Sequence, residues 1–140
     1  MNKTAIVYWS GTGNTEEMAK AVLKGARSKG ASAEMISASV FAPDLLDKLD
    51  TVAFGCPAMG SEVLEEEEFE PMFSSCLSSL AGKKIALFGS YGWGDGEWMR
   101  NWEESCKNAG AVLLCDSVIC TDEPDEEAIA ACNALGEALA

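Results

Sequence analysis

Three short runs, Thr4-Ala5-Ile6-Val7-Tyr8-Trp9, Thr51-Val52-Ala53-Phe54-Gly55 and Lys84-Ile85-Ala86-Leu87-Phe88-Gly89, are apolar almost without interruption. A strand that is apolar on both faces must be covered on both faces, which is the pattern of a parallel sheet flanked by helices. The intervening segments carry the helical period. Met18, Val22 and Ala26 recur at helical spacing over residues 15–28, before Gly30. Phe69, Met72, Phe73 and Leu77 mark an acidic helix, and Trp98, Trp102, Cys106 and Ala109 a helix closed by Gly110. A second strand is predicted at residues 33–37 and a fifth at 111–115, with a possible continuation to 120. A last helix is predicted from Pro124, a residue that suits a first helical turn. With 140 residues and no repeat or linker, the alternation predicts one α/β domain spanning residues 1–140.

In such sheets ligands bind beyond the carboxyl ends of the strands, where the strand order reverses. Three loops belong at that end: residues 10–15, 56–62 and 90–96. The first, Ser10-Gly11-Thr12-Gly13-Asn14-Thr15, joins a strand to a helix. There the unpaired N–H groups of the helix start and the helix dipole favour an anion, and glycine allows close approach. It lacks the lysine and spacing of a nucleotide-triphosphatase loop, and no Lys or Arg stands between Lys3 and Lys20. A phosphate here would rest on amides and on the hydroxyls of Ser10, Thr12 and Thr15. The third loop sets Trp93 between glycines, away from any helical period, where a flat indole can stack on a planar ring. Trp98 and Trp102 have the spacing of core residues.

Composition removes several classes of function. The net charge of −13 argues against nucleic acid, whose phosphates need a basic face, and points to basic partners. Acidic residues crowd residues 62–70 and 122–127. Without histidine and without a Cys-x-x-Cys pair, the six cysteines do not suggest a metal site; they read as small core residues. No apolar run approaches the roughly 18 residues of a membrane span. The start, Met1-Asn2-Lys3, leads straight into a strand without a secretory signal, so a soluble cytoplasmic protein is expected.

Taken together, Val7-Tyr8-Trp9-Ser10-Gly11-Thr12-Gly13-Asn14-Thr15, Gly55-Cys56-Pro57-Ala58-Met59-Gly60 and Leu87-Phe88-Gly89-Ser90-Tyr91-Gly92-Trp93-Gly94 resemble the flavodoxins. The likeness is to the short-chain, FMN-carrying type of anaerobic bacteria, and it covers essentially the whole chain. It implies a flavodoxin-like, doubly wound five-stranded parallel sheet in the order 2-1-3-4-5, with helices on both faces. It further implies that Ser10, Gly11, Thr12, Gly13, Asn14 and Thr15 grip the FMN phosphate, with Ser90 adding a hydroxyl. Pro57, Ala58, Met59, Gly60, Ser61 and Glu62 would line the inner side, with Met59 against the ring and Glu62 accepting from N3. Tyr91, Gly92, Trp93 and Gly94 would close the outer side, Trp93 over the ring and the amides of Gly92, Trp93 and Gly94 toward the pyrimidine oxygens. Some relatives carry a serine at the position of Pro57; its hydroxyl contact cannot form here.

The resemblance implies a low-potential one-electron carrier that cycles non-covalently bound FMN between semiquinone and hydroquinone and turns over no substrate. Gly60, Met59 and Trp93 would tune the redox steps. The peptide after Gly60 would turn over on one-electron reduction, which a glycine permits because it tolerates positive φ. Redox proteins with basic docking faces are the implied partners, and a monomer is the expected state. An FMN-dependent NAD(P)H or quinone reductase on the same fold is the alternative, but it needs room over the flavin that Trp93 would occupy. A phospho-acceptor domain of the same topology would need acidic residues where this chain has Trp9-Ser10 and Cys56-Pro57.

Overall fold

The computed structural model describes residues 2–11, 13–59, 63–92, 94 and 96–140. In chain order the elements are β1 (Lys3–Tyr8), α1 (Asn14–Ser28), β2 (Ser32–Ser37), α2 (Pro43–Leu46), β3 (Thr51–Gly55), α3 (Phe69–Cys76), β4 (Lys84–Tyr91), α4 (Glu97–Asn108), β5 (Val112–Leu113), β6 (Val118–Thr121) and α5 (Glu126–Leu139). A single 3-10 turn, Leu77–Ser79, extends α3. All strand pairs are parallel, in the order β2-β1-β3-β4-β5, with β6 also paired to β4. The predicted strand order is therefore present. The fifth position is split: β5 and β6 pair with the lower and upper halves of β4, and residues 114–117 step out between them.

The central strands alternate between two cores. Ala5, Val7, Val52, Phe54, Ile85 and Leu87 face α3 and α4. Ile6, Ala53, Ala86 and Phe88 face α1 and α5. Period-two alternation of uniformly apolar residues thus fills both sides of one sheet. Trp98 and Trp102 are buried in the first core, as their spacing predicts. Cys56, Cys76, Cys106 and Cys132 are buried, whereas Cys115 and Cys120 are half-buried beside the split strand.

The two helical layers pack differently. On one face the backbones of α1 and α5 touch: a Cβ on Gly25 would collide with the Asn133 carbonyl oxygen, and one on Gly136 with that of Val22. On the other, α3 and α4 meet through side chains, with Phe69 and Phe73 set edge-on to Trp102 at ring-centre distances of 5.4 and 5.7 Å.

The stretch between β3 and α3 is held by one carboxylate. Glu65 is buried, and its Oε1 accepts from the Glu68 and Phe69 N–H groups at 2.8 Å while Oε2 accepts from Glu67 N at 2.8 Å. Its own N–H donates to the Cys56 Sγ at 3.4 Å, tying the start of α3 to the end of β3. Burial pushes the Glu65 carboxyl up, but the three N–H donors outweigh it and hold the group below the usual carboxylate range. Burial also pushes the Cys56 thiol up to about 12, so it remains a protonated packing group.

Two substitutions test this packing by urea unfolding. Gly136→Ala should destabilise by about 1–3 kcal/mol, the range for overpacking at a close approach; an unchanged midpoint would mean that α1 and α5 can separate freely. Glu65→Gln should destabilise at neutral pH by about 1–3 kcal/mol, the scale of buried polar groups left without their partner. Because the folded-state carboxyl is held low, its contribution is present above the ordinary glutamate range and is lost as pH falls through the folded value. The two proteins should therefore converge in acid, and a difference that persists undiminished would contradict the clamp.

Candidate functional site

The chain leaves β1 in one direction to form β2 and returns to build β3 on the other side, so the strand order reverses between β1 and β3. At the carboxyl ends of β1, β3 and β4 lies a cleft of about 240 Å³. Its walls are short segments fixed to one another by backbone bonds. Trp9 N donates to Gly55 O at 3.0 Å, Cys56 N to Phe88 O at 3.2 Å and Ala58 N to Ser90 O at 3.0 Å. Met59 N donates to Val63 O at 2.9 Å, tying together the two ends of the 60–62 segment.

A corner with the geometry to hold an anion is built by the start of α1. Gly13, at φ 97°, takes the left-handed conformation that turns the chain into the helix. Its N–H donates to Ser10 Oγ at 3.0 Å, and its carbonyl receives the Glu17 N–H at 3.0 Å, the first bond of the helix ladder. The N–H groups of the turn before Glu17 have no carbonyl within the helix to receive them, and the dipole adds to their pull on an anion. Beside this corner the buried hydroxyls of Thr15 and Ser90 lie 3.3 Å apart, one from the helix and one from the end of β4. Among the described residues no Lys or Arg lines the cleft.

The remaining wall suits a flat aromatic ligand. Pro57, Ala58 and Met59 come from the end of β3, and Ser90, Tyr91 and Gly92 from the end of β4. Tyr91 is itself supported by the Trp98 ring, 5.2 Å away. Trp98 Nε1 in turn donates to Cys56 O at 3.3 Å, so a core tryptophan braces two of the three segments.

Of the residues singled out from the sequence, Gly11, Asn14, Pro57, Ala58, Met59, Ser90, Tyr91 and Gly92 meet on the cleft. Ser10, Gly13 and Thr15 form the adjoining corner. Gly94, at φ 92°, follows Gly92 in the chain but does not line the cleft. Thr12, Gly60, Ser61, Glu62 and Trp93 lie outside the described residues. Two lining residues were not anticipated: Trp9, read only as strand, and Asp122, read only as part of an acidic run. Trp9 Nε1 donates to Glu68 Oε1 at 3.2 Å, and Asp122 N donates to Tyr91 O at 2.8 Å. Asp122 has a φ of 55°, the only positive value at a non-glycine among the described residues.

These residues fit FMN: a glycine-turned helix start with hydroxyls for a phosphate, and an apolar and aromatic slot for a ring. The flavodoxin family model matches residues 6–135. The chain is 50% identical to a flavodoxin from Clostridium beijerinckii over 86% of this chain and 88% of that one. It is 43% identical to one from Megasphaera elsdenii over 96% of each. The solution structure of two-electron reduced Megasphaera elsdenii flavodoxin superposes with a TM-score of 0.90, covering 97% of both chains. Since the family model and both relatives match over most of the chain, it belongs to the flavodoxin family, whose members bind FMN and carry electrons rather than turn over a substrate.

Proposed function

We propose that this chain carries electrons singly and at low potential, with its FMN phosphate on the start of α1 and its ring in the slot between Met59 and Trp93. The observation that carries this reading is the helix start at Gly13 with the hydroxyls of Ser10, Thr15 and Ser90 around it and no cationic side chain on the cleft. Thr12 completes the hydroxyl set. Bound FMN supplies two successive one-electron steps. The protein's part is to hold the ring, exclude water and set the cost of added charge.

Each side chain has a distinct task in this reading. Met59 would cover the inner face of the ring and Trp93 the outer face, while Pro57, Ala58 and Tyr91 would keep water away. The amides of Gly92 and Trp93 would face the pyrimidine oxygens, and Glu62 would accept from N3. Gly60 and Ser61 would form a turn able to offer a carbonyl to the flavin. The bond from Met59 N to Val63 O joins the residues on either side of that turn.

Electrostatics set the second step low. The phosphate charge would find no Lys or Arg among the described residues of the cleft to offset it, and Asp122 lines the same cleft. Added negative charge in a site of low polarity beside existing negative charge is poorly stabilised. Each 1.4 kcal/mol of that penalty lowers a one-electron couple by about 60 mV. The net charge of −13 favours partners with basic faces and makes their association weaken with salt. No helix among the described residues is long and apolar enough to cross a membrane. Cytoplasmic location and a monomeric state belong to this reading as well.

The test is an anaerobic reductive titration of the FMN-loaded protein under spectroelectrochemical control. Two resolved one-electron couples are expected, the second well below that of free FMN, with no consumption of NADPH by the protein alone. Gly60→Ala should lower the first couple and leave the second less affected. A single two-electron step, or NADPH turnover, would overturn the carrier reading, and unchanged potentials in Gly60→Ala would reject the reorienting turn.

A further inference from the structure

The face of the sheet covered by α3 and α4 is left open in a way the other face is not. Where Gly25 and Gly136 let α1 and α5 close backbone to backbone, α3 and α4 flank a groove of about 480 Å³. Its apolar lining comes from Leu64, Phe73, Leu77, Trp98 and Trp102. Glu66 and Glu70 line it from the α3 side, and Asn101 and Ser105 from the α4 side.

Three further observations characterise what the groove can receive. The Trp102 indole is buried, and its Nε1–H has no hydrogen-bond acceptor among the described residues. A buried donor without an acceptor is costly; the atom is enclosed, so an incoming main-chain carbonyl could satisfy it only with a shift of the indole toward the groove. The charged residues that line the groove are Glu66 and Glu70, with Glu67 and Glu68 between them in the chain. Among the described residues no Lys or Arg lines it. Finally, the groove shares walls with the cofactor cleft, because Val63 at its end accepts the Met59 N–H and Trp98 in its lining donates to Cys56 O.

We propose that this groove is a docking site for an extended segment, alternately apolar and cationic, of the protein that exchanges electrons with this one. Side chains of an extended segment alternate between two sides. Apolar residues would enter over Leu64, Phe73 and Leu77, Lys or Arg would meet Glu66 and Glu70, and a shift of the Trp102 indole would let a main-chain carbonyl reach its N–H. The segment then lies alongside the flavin cleft and leaves its edge accessible. The assignment rests on the carrier reading for its physiological meaning.

The test uses FMN-loaded protein and, as probe, a blocked synthetic peptide of alternating leucine and lysine, followed by amide and indole NMR shifts at low salt. Saturable shifts confined to α3, α4 and the Trp102 indole are expected, with affinity falling at least several-fold when salt is raised. Glu66→Lys combined with Glu70→Lys should weaken binding at least tenfold with FMN occupancy retained. Glu66→Gln with Glu70→Gln should weaken it less, in the same direction. Shifts confined to residues 10–15, 56–62 and 90–96 would overturn the proposal by placing the peptide on the flavin edge. Absence of shifts, or equal binding of a leucine–glutamate peptide, would overturn it too. The reductive titration reads the carrier function separately, so either can fail alone.

Discussion

In the proposed reading, an anion held by backbone N–H groups and hydroxyls, with no cationic side chain among the described residues of the cleft, is the interaction around which this molecule is arranged. It requires a helix start aimed at one point, and the left-handed Gly13 after β1 provides it. It also requires hydroxyls from elsewhere in the chain, and the parallel sheet delivers Ser90 from the end of β4 to within 3.3 Å of Thr15. A sheet of parallel strands gathers all its carboxyl ends at one edge, so three segments distant in sequence become neighbours there. Withholding a lysine would have an electrostatic consequence in that reading: a phosphate charge in the site would bear on every later addition of charge.

The two faces of the sheet divide the labour. Close contact of α1 with α5 through Gly25 and Gly136 makes a rigid backing for the anion corner, since α1 carries that corner at its start. The α3 and α4 face is looser and adjoins the segment between β3 and α3. Glu65 compensates by binding three consecutive N–H groups, and Trp98 braces Cys56 from below. Both act on the segment that leads from the end of β3 through Met59 to the start of α3.

Much of this was legible in the sequence because it is written in local pattern. β1, β3 and β4 follow from unbroken apolar runs, and Trp98 and Trp102 from helical spacing; both are buried as that spacing implies. The glycines and hydroxyls of residues 10–15 announce the anion corner by their types. What was not legible depends on partners far away in sequence. Asp122 reaches the cleft only because β6 pairs with β4, and its acidic neighbours disguise it as surface. Glu65 stands in a run of four glutamates, and only the fold reveals that it alone is buried. The fifth strand divides at residues 114–117, where Ser117 turns to Glu103, and α5 starts at Glu126 behind an Asp125 cap rather than at Pro124. The short helix α2 carries no apolar period long enough to detect.

The phosphorus-31 resonance of the FMN-loaded protein is the most direct probe of the central interaction. Free phosphate monoesters take up a second proton near pH ~6, and the resonance moves as they do. Donors that favour the charged form should hold the bound group as the dianion, so its resonance should stay fixed through that range. A resonance that titrates as in free FMN would contradict the account, because the phosphate would then lie in solvent and not at the start of α1.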